Sequence, residues 1–323
     1  MADALFSKSG DTENITLAAA ASAGELRQMP DGRAGVMVGT NAAVSGDVRA
    51  FKKSGVHTLT KAANIVLLAG GRAYWDHSAN AVTFRKVNDR DFYVGTVVGD
   101  AASADTTVAV DLNVDPKPTI NLLTDGALSV ATGTAAAGGF GLPAIRGGVP
   151  SLSLTATNEA QCVDMLSVDR VAVASNPIAE FVVRLGANGS ASAVDLNFGL
   201  ANATSTTDAD AIAESVFIHI DGGALDILAE SDDGTTEVAA TDTTVNITEG
   251  SAVANRVEVW MDARNPADIQ IYIDGVLVLG STVFTLGAAT GPIGLLAHLE
   301  KTSGTATAGP VYFDRAELRT MEQ

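Results

Sequence analysis

The apolar residues of this chain come in short runs with a period of two, and that spacing restricts the fold more than any other feature. Thr107-Val108-Ala109-Val110-Asp111-Leu112 alternates, as do Val257-Glu258-Val259-Trp260-Met261-Asp262 and Ile269-Gln270-Ile271-Tyr272-Ile273-Asp274. In extended backbone successive side chains point to opposite faces, so each run buries every second residue. Val36-Met37-Val38, Ala63-Asn64-Ile65-Val66-Leu67-Leu68 and Phe92-Tyr93-Val94-Gly95-Thr96-Val97-Val98 are brief apolar runs set among Gly, Asp and Asn. Asp274-Gly275 stands between two of these stretches and tolerates the positive φ of a type I′ hairpin turn. Helical turns are expected only at 18–26 and 208–214. The class predicted is all-β: a small β-barrel or β-roll, then a two-sheet jelly-roll sandwich.

Charge divides the chain in two. Residues 1–115 hold 11 Lys+Arg and 13 Asp+Glu, a net of −2; residues 116–323 hold 9 and 25, a net of −16, and together these give the totals of 20 and 38. The length of 323 residues also suits about two domains. The expected division is a domain at 1–115, a linker at 116–145 and a domain at 146–323. Asp115-Pro116-Lys117-Pro118 opens the linker, because two closely spaced prolines interrupt a sheet ladder. Gly133-Thr134-Ala135-Ala136-Ala137-Gly138-Gly139-Phe140-Gly141 continues it with small residues. The near-neutral part has less charge to desolvate against a close partner, whereas the acidic part suits solvent.

Several classes are excluded. One cysteine, Cys162, can form neither an intrachain disulfide nor a Cys-based zinc site, and is expected as a small semi-buried residue. A net charge of −18 repels nucleic-acid phosphate. No apolar run reaches the roughly 18 residues that a membrane helix needs. The N-terminus lacks a basic segment followed by an apolar one, so synthesis without secretion is expected.

Catalytic patterns are weak. The four histidines His57, His77, His219 and His298 accompany no Gly-x-Ser-x-Gly elbow. Glu258 and Asp262 share one strand face with Trp260, as a glycosidase pair with a stacking platform would, but no third acid completes that pattern. The expected alternative is a solvated outer face with Val257, Val259 and Met261 turned inward. Asp208-Ala209-Asp210 and Asp232-Asp233-Gly234, with Asp221 and Asp242, offer oxygens for calcium but lack EF-hand spacing, and acidic turns explain them equally. No catalytic residue, metal or cofactor is expected.

Two stretches resemble known families. Gly39-Thr40-Asn41-Ala42-Ala43-Val44-Ser45-Gly46-Asp47 leads to Leu67-Leu68-Ala69-Gly70-Gly71-Arg72-Ala73-Tyr74-Trp75-Asp76. Ala81-Val82-Thr83, Tyr93-Val94-Gly95-Thr96-Val97-Val98-Gly99-Asp100-Ala101 and Val108-Ala109-Val110-Asp111-Leu112-Asn113 follow in order. This set resembles the capsid cement, or head decoration, proteins of tailed bacteriophages. Ile218-His219-Ile220-Asp221-Gly222-Gly223, Glu230-Ser231-Asp232-Asp233-Gly234-Thr235, Ile271-Tyr272-Ile273-Asp274-Gly275 and Val311-Tyr312-Phe313-Asp314 resemble concanavalin-like jelly rolls.

The first resemblance implies a structural virion protein on the outer capsid surface. It would be a homotrimer that clamps neighbouring major capsid subunits and displays the second domain. An extended N-terminal arm carrying Leu5, Phe6, Ile15 and Leu17 would join the contact. The basic residues Lys52, Lys53, Arg85 and Lys86 would meet acidic capsid surface. The alternative is a virion adhesin that binds host-surface glycans through Trp260 and Tyr272; a glycan-active enzyme comes third.

Overall fold

The alternating runs are strands in the computed structural model, which describes residues 11–132, 144–146, 149–186, 194–250, 256–302 and 308–321. The chain divides into two compact units, Met1–Lys117 and Pro118–Gln323.

The first unit contains β1 (Thr12–Thr16), β2 (Leu26–Gln28), β3 (Ala34–Met37), β4 (Val48–Lys52), β5 (Val56–Thr60), β6 (Arg72–Asp76), β7 (Ala81–Thr83), β8 (Phe92–Val97) and β9 (Thr107–Leu112). They make a four-stranded sheet, β1-β4-β3-β2, and a five-stranded one, β5-β9-β8-β6-β7. A parallel bridge from Lys61, just after β5, to Val82 in β7 joins the two edges of the larger sheet. That sheet is therefore a small barrel, with Ala73, Val82, Val94 and Val110 fully buried. Gly95 permits the close approach of β8 to β9: a Cβ there would lie 2.0 Å from the Asp111 carbonyl oxygen on β9.

Trp75 and Asp76 end β6, and His77 opens the turn into β7. The Asp76 carboxylate accepts the backbone N–H of Ser78 at 2.8 Å and of Ala79 at 3.0 Å, and Asn80 takes a left-handed φ of 50°. The buried Asp91 carboxylate accepts the N–H groups of His77, Val87 and Asn88. These three donors outweigh the burial and hold its pKa below the ordinary value.

The second unit contains β10 (Ile120–Asn121), β11 (Ala127–Thr132), β12 (Ala144–Arg146), β13 (Val149–Leu154), β14 (Gln161–Ser167), β15 (Pro177–Leu185), β16 (Val194–Ala201), β17 (Glu214–Asp221), β18 (Asp226–Asp233), β19 (Glu237–Asn246), β20 (Arg256–Asp262), β21 (Gln270–Ile273), β22 (Val276–Val278), β23 (Gly294–Lys301) and β24 (Ala308–Thr320). One sheet has the order β12-β13-β24-β15-β20-β21-β22, with β10 also on β24; the other runs β11-β14-β23-β16-β17-β18-β19. Between them lies one continuous apolar core in which Phe198 touches Phe181 and Phe313, at centroid distances of 5.2 and 6.1 Å. Burying each such ring contributes about 1.5–3 kcal/mol. Asp274 and Gly275 turn β21 into β22 with φ values of 49° and 78°, as the dipeptide predicts.

Two expectations need correction. The linker read at 116–145 includes β10, β11 and the start of β12, because Ile120 and Leu122 are apolar enough to enter the sandwich core. The pattern there is too short to read as alternation. Residues 18–26 form no helix: Ala21 pairs with Ala43 in an isolated bridge, and the chain then enters β2. At 208–214 there is one 3-10 turn, Ala209–Ala211, capped by the Asp208 side chain.

Candidate functional site

The first unit offers an open sheet face. On β4, Val48, Ala50 and Lys52 point one way while Phe51 is buried on the other side. Thr12, Asn14 and Thr16 stand opposite Lys52, Ala50 and Val48, and Val36 stands opposite Lys52 on the other flank. The Val38 N–H bonds to the Ala50 carbonyl, so Val38 extends the same face. Val38 is 50% exposed and Val48 58% exposed, and Lys52 is the one charged group among these residues. The face is apolar, threonine-edged and almost uncharged. Sequence reading passed over Val38 and Val48, because an exposed valine is visible only once its strand partners are fixed.

The expected contact residues separate. Leu5 and Phe6 lie outside the described residues. Leu17 is buried in the core of its own unit with Phe51 and Met37, and Ile15 packs on that core, so neither belongs to a free arm. Residues 12–16 are committed as β1 against β4. Lys52 is exposed, but Lys53 is buried, with Nζ 2.5 Å from Glu13 and 3.4 Å from Asp31. Adjacent strand residues face opposite sides, which is why two neighbouring lysines part ways. Arg85 lies 5.1 Å over the Phe84 ring, and Lys86 is exposed.

The second unit buries charge on the outer faces of both sheets. On one, Val257, Val259 and Met261 do point into the core. The opposite face is not solvated as expected: Glu258, Trp260 and Asp262 are all buried. Glu180 on β15 joins Glu258, and arginines neutralise them. Arg315 pairs with Glu180 and stands 3.5 Å from Glu258, Arg319 donates to Glu180 at 3.0 Å, and Arg256 lies 3.7 Å from Glu258. Burial first, and Glu180 second, push the Glu258 carboxyl up. Trp260 donates Nε1–H to Glu258 at 3.2 Å, and its ring lies 6.3 Å from half-buried Tyr272. A 5% exposed indole committed to a carboxylate offers no platform for a sugar. Asp262 is gripped by Arg264 through Nε at 2.8 Å, which commits the second acid of the expected pair.

On the other sheet, fully buried His298 lies between two acids, Nδ1 at 2.6 Å from Asp164 and Nε2 at 2.7 Å from Glu300. Burial alone would lower its pKa, yet the two carboxylates outweigh that and raise it to about 9. The ring is a clamped imidazolium with no nitrogen left to activate a nucleophile. Cys162 is buried nearby, and burial pushes its thiol up, so it is not a thiolate. His219 is also raised, to about 10: burial lowers it, but Asp195 and Glu230 prevail. Asp210 rises to about 7, through burial and then Glu230. Sequence reading treated these groups singly. A polar residue at an every-second position of an apolar strand, such as Asp164 or His298, was the available signal.

One part of the chain matches a known protein family. More particularly, residues 7–112 match the phage cement protein family, which covers the first unit and about a third of the chain. The resemblance read from the order of its strands and turns is thereby shown, and a jelly-roll sandwich follows it in the same chain. No curated protein matches the sequence. Similar solved structures include the potassium-bound carbohydrate recognition domain of Emp46p, at 10% identity over 62% of this chain and 95% of that one, with a TM-score of 0.40. The galectin LEC-6 of Caenorhabditis elegans is 11% identical over 46% and 87%, with a TM-score of 0.30. The endo-1,3-beta-glucanase of Streptomyces sioyaensis is 12% identical over 58% and 84%, with a TM-score of 0.38. At such scores none of them carries an inference about ligand or activity. Among the described residues no helix is long and apolar enough to cross a membrane.

Proposed function

We propose that the chain is a capsid cement protein of a phage, without enzymatic activity, whose first unit binds the outer surface of the assembled shell. There it clamps neighbouring major capsid subunits as a trimer and displays the acidic sandwich. The match of residues 7–112 to phage cement proteins carries this reading. The open face around Val38, Val48 and Ala50 supports it, because burying that face costs little desolvation and gains apolar area. The commitment of Glu258 and Asp262 to arginines speaks against a glycosidase pair.

The test is co-sedimentation of the full chain with assembled shells of the phage that encodes it. Saturable binding is expected, with stoichiometry in multiples of three per local symmetry axis. Val48→Asp should weaken it by about 100-fold or more, since a desolvated carboxylate in an apolar interface costs several kcal/mol. Unchanged binding by Val48→Asp and by Val38→Asp would remove the face from the reading. No binding by the wild-type chain would remove the reading itself.

A further inference from the structure

The outer face of the β11–β19 sheet carries a group of side chains that the cement role does not use. His219 on β17 stands opposite Leu228, and Glu230 on β18 stands opposite Phe217, so the two are diagonal neighbours on one face. Asp210 reaches them from the 3-10 turn Ala209–Ala211. That turn is anchored over the sheet: Ala209 and Ile212 pack on Leu166, Phe217 and Leu296 in a small buried cluster. One ligand atom from each of Asp210, His219 and Glu230 lies within 4.8 Å of the others.

Two observations distinguish this group from an ordinary acidic surface. The buried atoms His219 Nδ1 and Glu230 Oε1 have no hydrogen-bond partner, and Glu230 is only 8% exposed. They face each other at 3.8 Å, too far for a hydrogen bond. The other ring nitrogen, Nε2, faces Asp195 Oδ1 at 3.4 Å, which orients the imidazole with Nδ1 toward the gap. A carboxylate behind a histidine is the usual support of a metal-binding ring. Buried Asn197 stands opposite His219 in register, and its Oδ1 is also unpartnered.

We propose that Asp210, His219 and Glu230 bind a divalent transition-metal cation of the zinc type, with Asp195 as the positioning residue behind His219. One nitrogen and two carboxylates suit a borderline cation and are too few oxygens for calcium. Metal–ligand bonds of about 2.0–2.2 Å need ligand atoms about 3.3 Å apart. Asp210 is exposed and supplies the small closing movement. A cavity of about 290 Å³ lined by Asp210, Glu230, Ser215 and Phe217 adjoins the group and gives the ion a route in and room for water in its open position. The ring nitrogen that ligates the ion must be unprotonated, so a proton held there leaves to solvent on binding.

Titration calorimetry of the EDTA-stripped full chain with zinc chloride tests this. The expected result is one ion per chain with a Kd of about 1 µM or tighter, and calcium chloride weaker by about 100-fold or more. Asp210→Asn keeps the fold, because the residue is exposed, and should weaken zinc by about tenfold or more; Asp195→Asn should weaken it by about tenfold. Cobalt(II) should give the visible absorption of a nitrogen-ligated low-coordinate site, which Glu230→Gln removes. Absent zinc binding would overturn the proposal. So would binding that Asp210→Asn and Glu230→Gln both leave within about twofold, since an ion elsewhere on the acidic surface would behave so.

Discussion

The two units use the same strand alphabet and put their charge in opposite places. Among its described residues the first has seven large apolar side chains exposed, Val38, Val44, Val48, Val56, Val87, Val98 and Val114, on a chain segment of nearly balanced charge. The second is nearly twice as long, is strongly acidic and among its described residues exposes five, Leu128, Val168, Val276, Leu277 and Val283. It draws part of its charge under cover: Glu180 and Glu258 with their arginines on one sheet, Asp164, His298 and Glu300 on the other. A surface with little charge to strip is suited to association. A sandwich locked by buried ion clusters is suited to holding one shape in solvent.

The sharpest way to break this comparison is to remove one buried acid. Glu180→Ala removes the carboxylate that Arg315 and Arg319 share inside a covered cluster, and leaves Arg315 with Glu258 at 3.5 Å. The second unit should lose about 3–5 kcal/mol. In calorimetry of the full chain its transition should fall well below that of the first unit, which should not move. A loss under about 1 kcal/mol would mean that the cluster is solvated and that the contrast between the units is only one of net charge.

The next effect separates the units by pH. His298 has its folded pKa raised from 6.5 to about 9, so the folded state keeps a proton that the unfolded chain releases. Its contribution is complete below pH 6.5 and disappears as pH rises through about 9; integrated over that window it amounts to about 3 kcal/mol. His298→Gln should flatten the alkaline limb of the second unit's stability. The first unit responds at the other end. Hydrogen bonds from Arg33 hold Asp31 at about 2, so its contribution is present above pH 3.8 and is lost as pH falls through about 2. Unfolding curves of the two transitions between pH 2 and 10 should therefore lean in opposite directions.

What the sequence revealed and concealed follows the same line. Alternation identified the strands and correctly turned Val257, Val259 and Met261 inward. It could not show that Glu258 is covered, because Arg315, which stands 3.5 Å from it, lies on β24, more than fifty residues away in the chain. The Asp274-Gly275 turn was legible because its chemistry is local. The metal-type group was not, because Asp210, His219 and Glu230 meet only through the β17–β18 register and a turn anchored by Ala209 and Ile212.

The smallest effect tests this lesson on two adjacent residues that look identical in the sequence. Lys53 has a side chain 4% exposed between Glu13 and Asp31, and its backbone carbonyl accepts from Asn113. Lys53→Ala should cost the first unit about 1–2 kcal/mol, since it strands Glu13 beside a buried gap while leaving the backbone bond intact. Lys52→Ala, one position along on the open face, should change stability by less than about 0.5 kcal/mol. The order should reverse on assembled shells. Lys52→Ala alters the charge that the face presents, and its binding should change with ionic strength differently from wild type; Lys53→Ala should bind as wild type does while it remains folded. If both lysines affected stability alike, the face would not be open. If both affected binding alike, the four-stranded sheet would not be the docking surface.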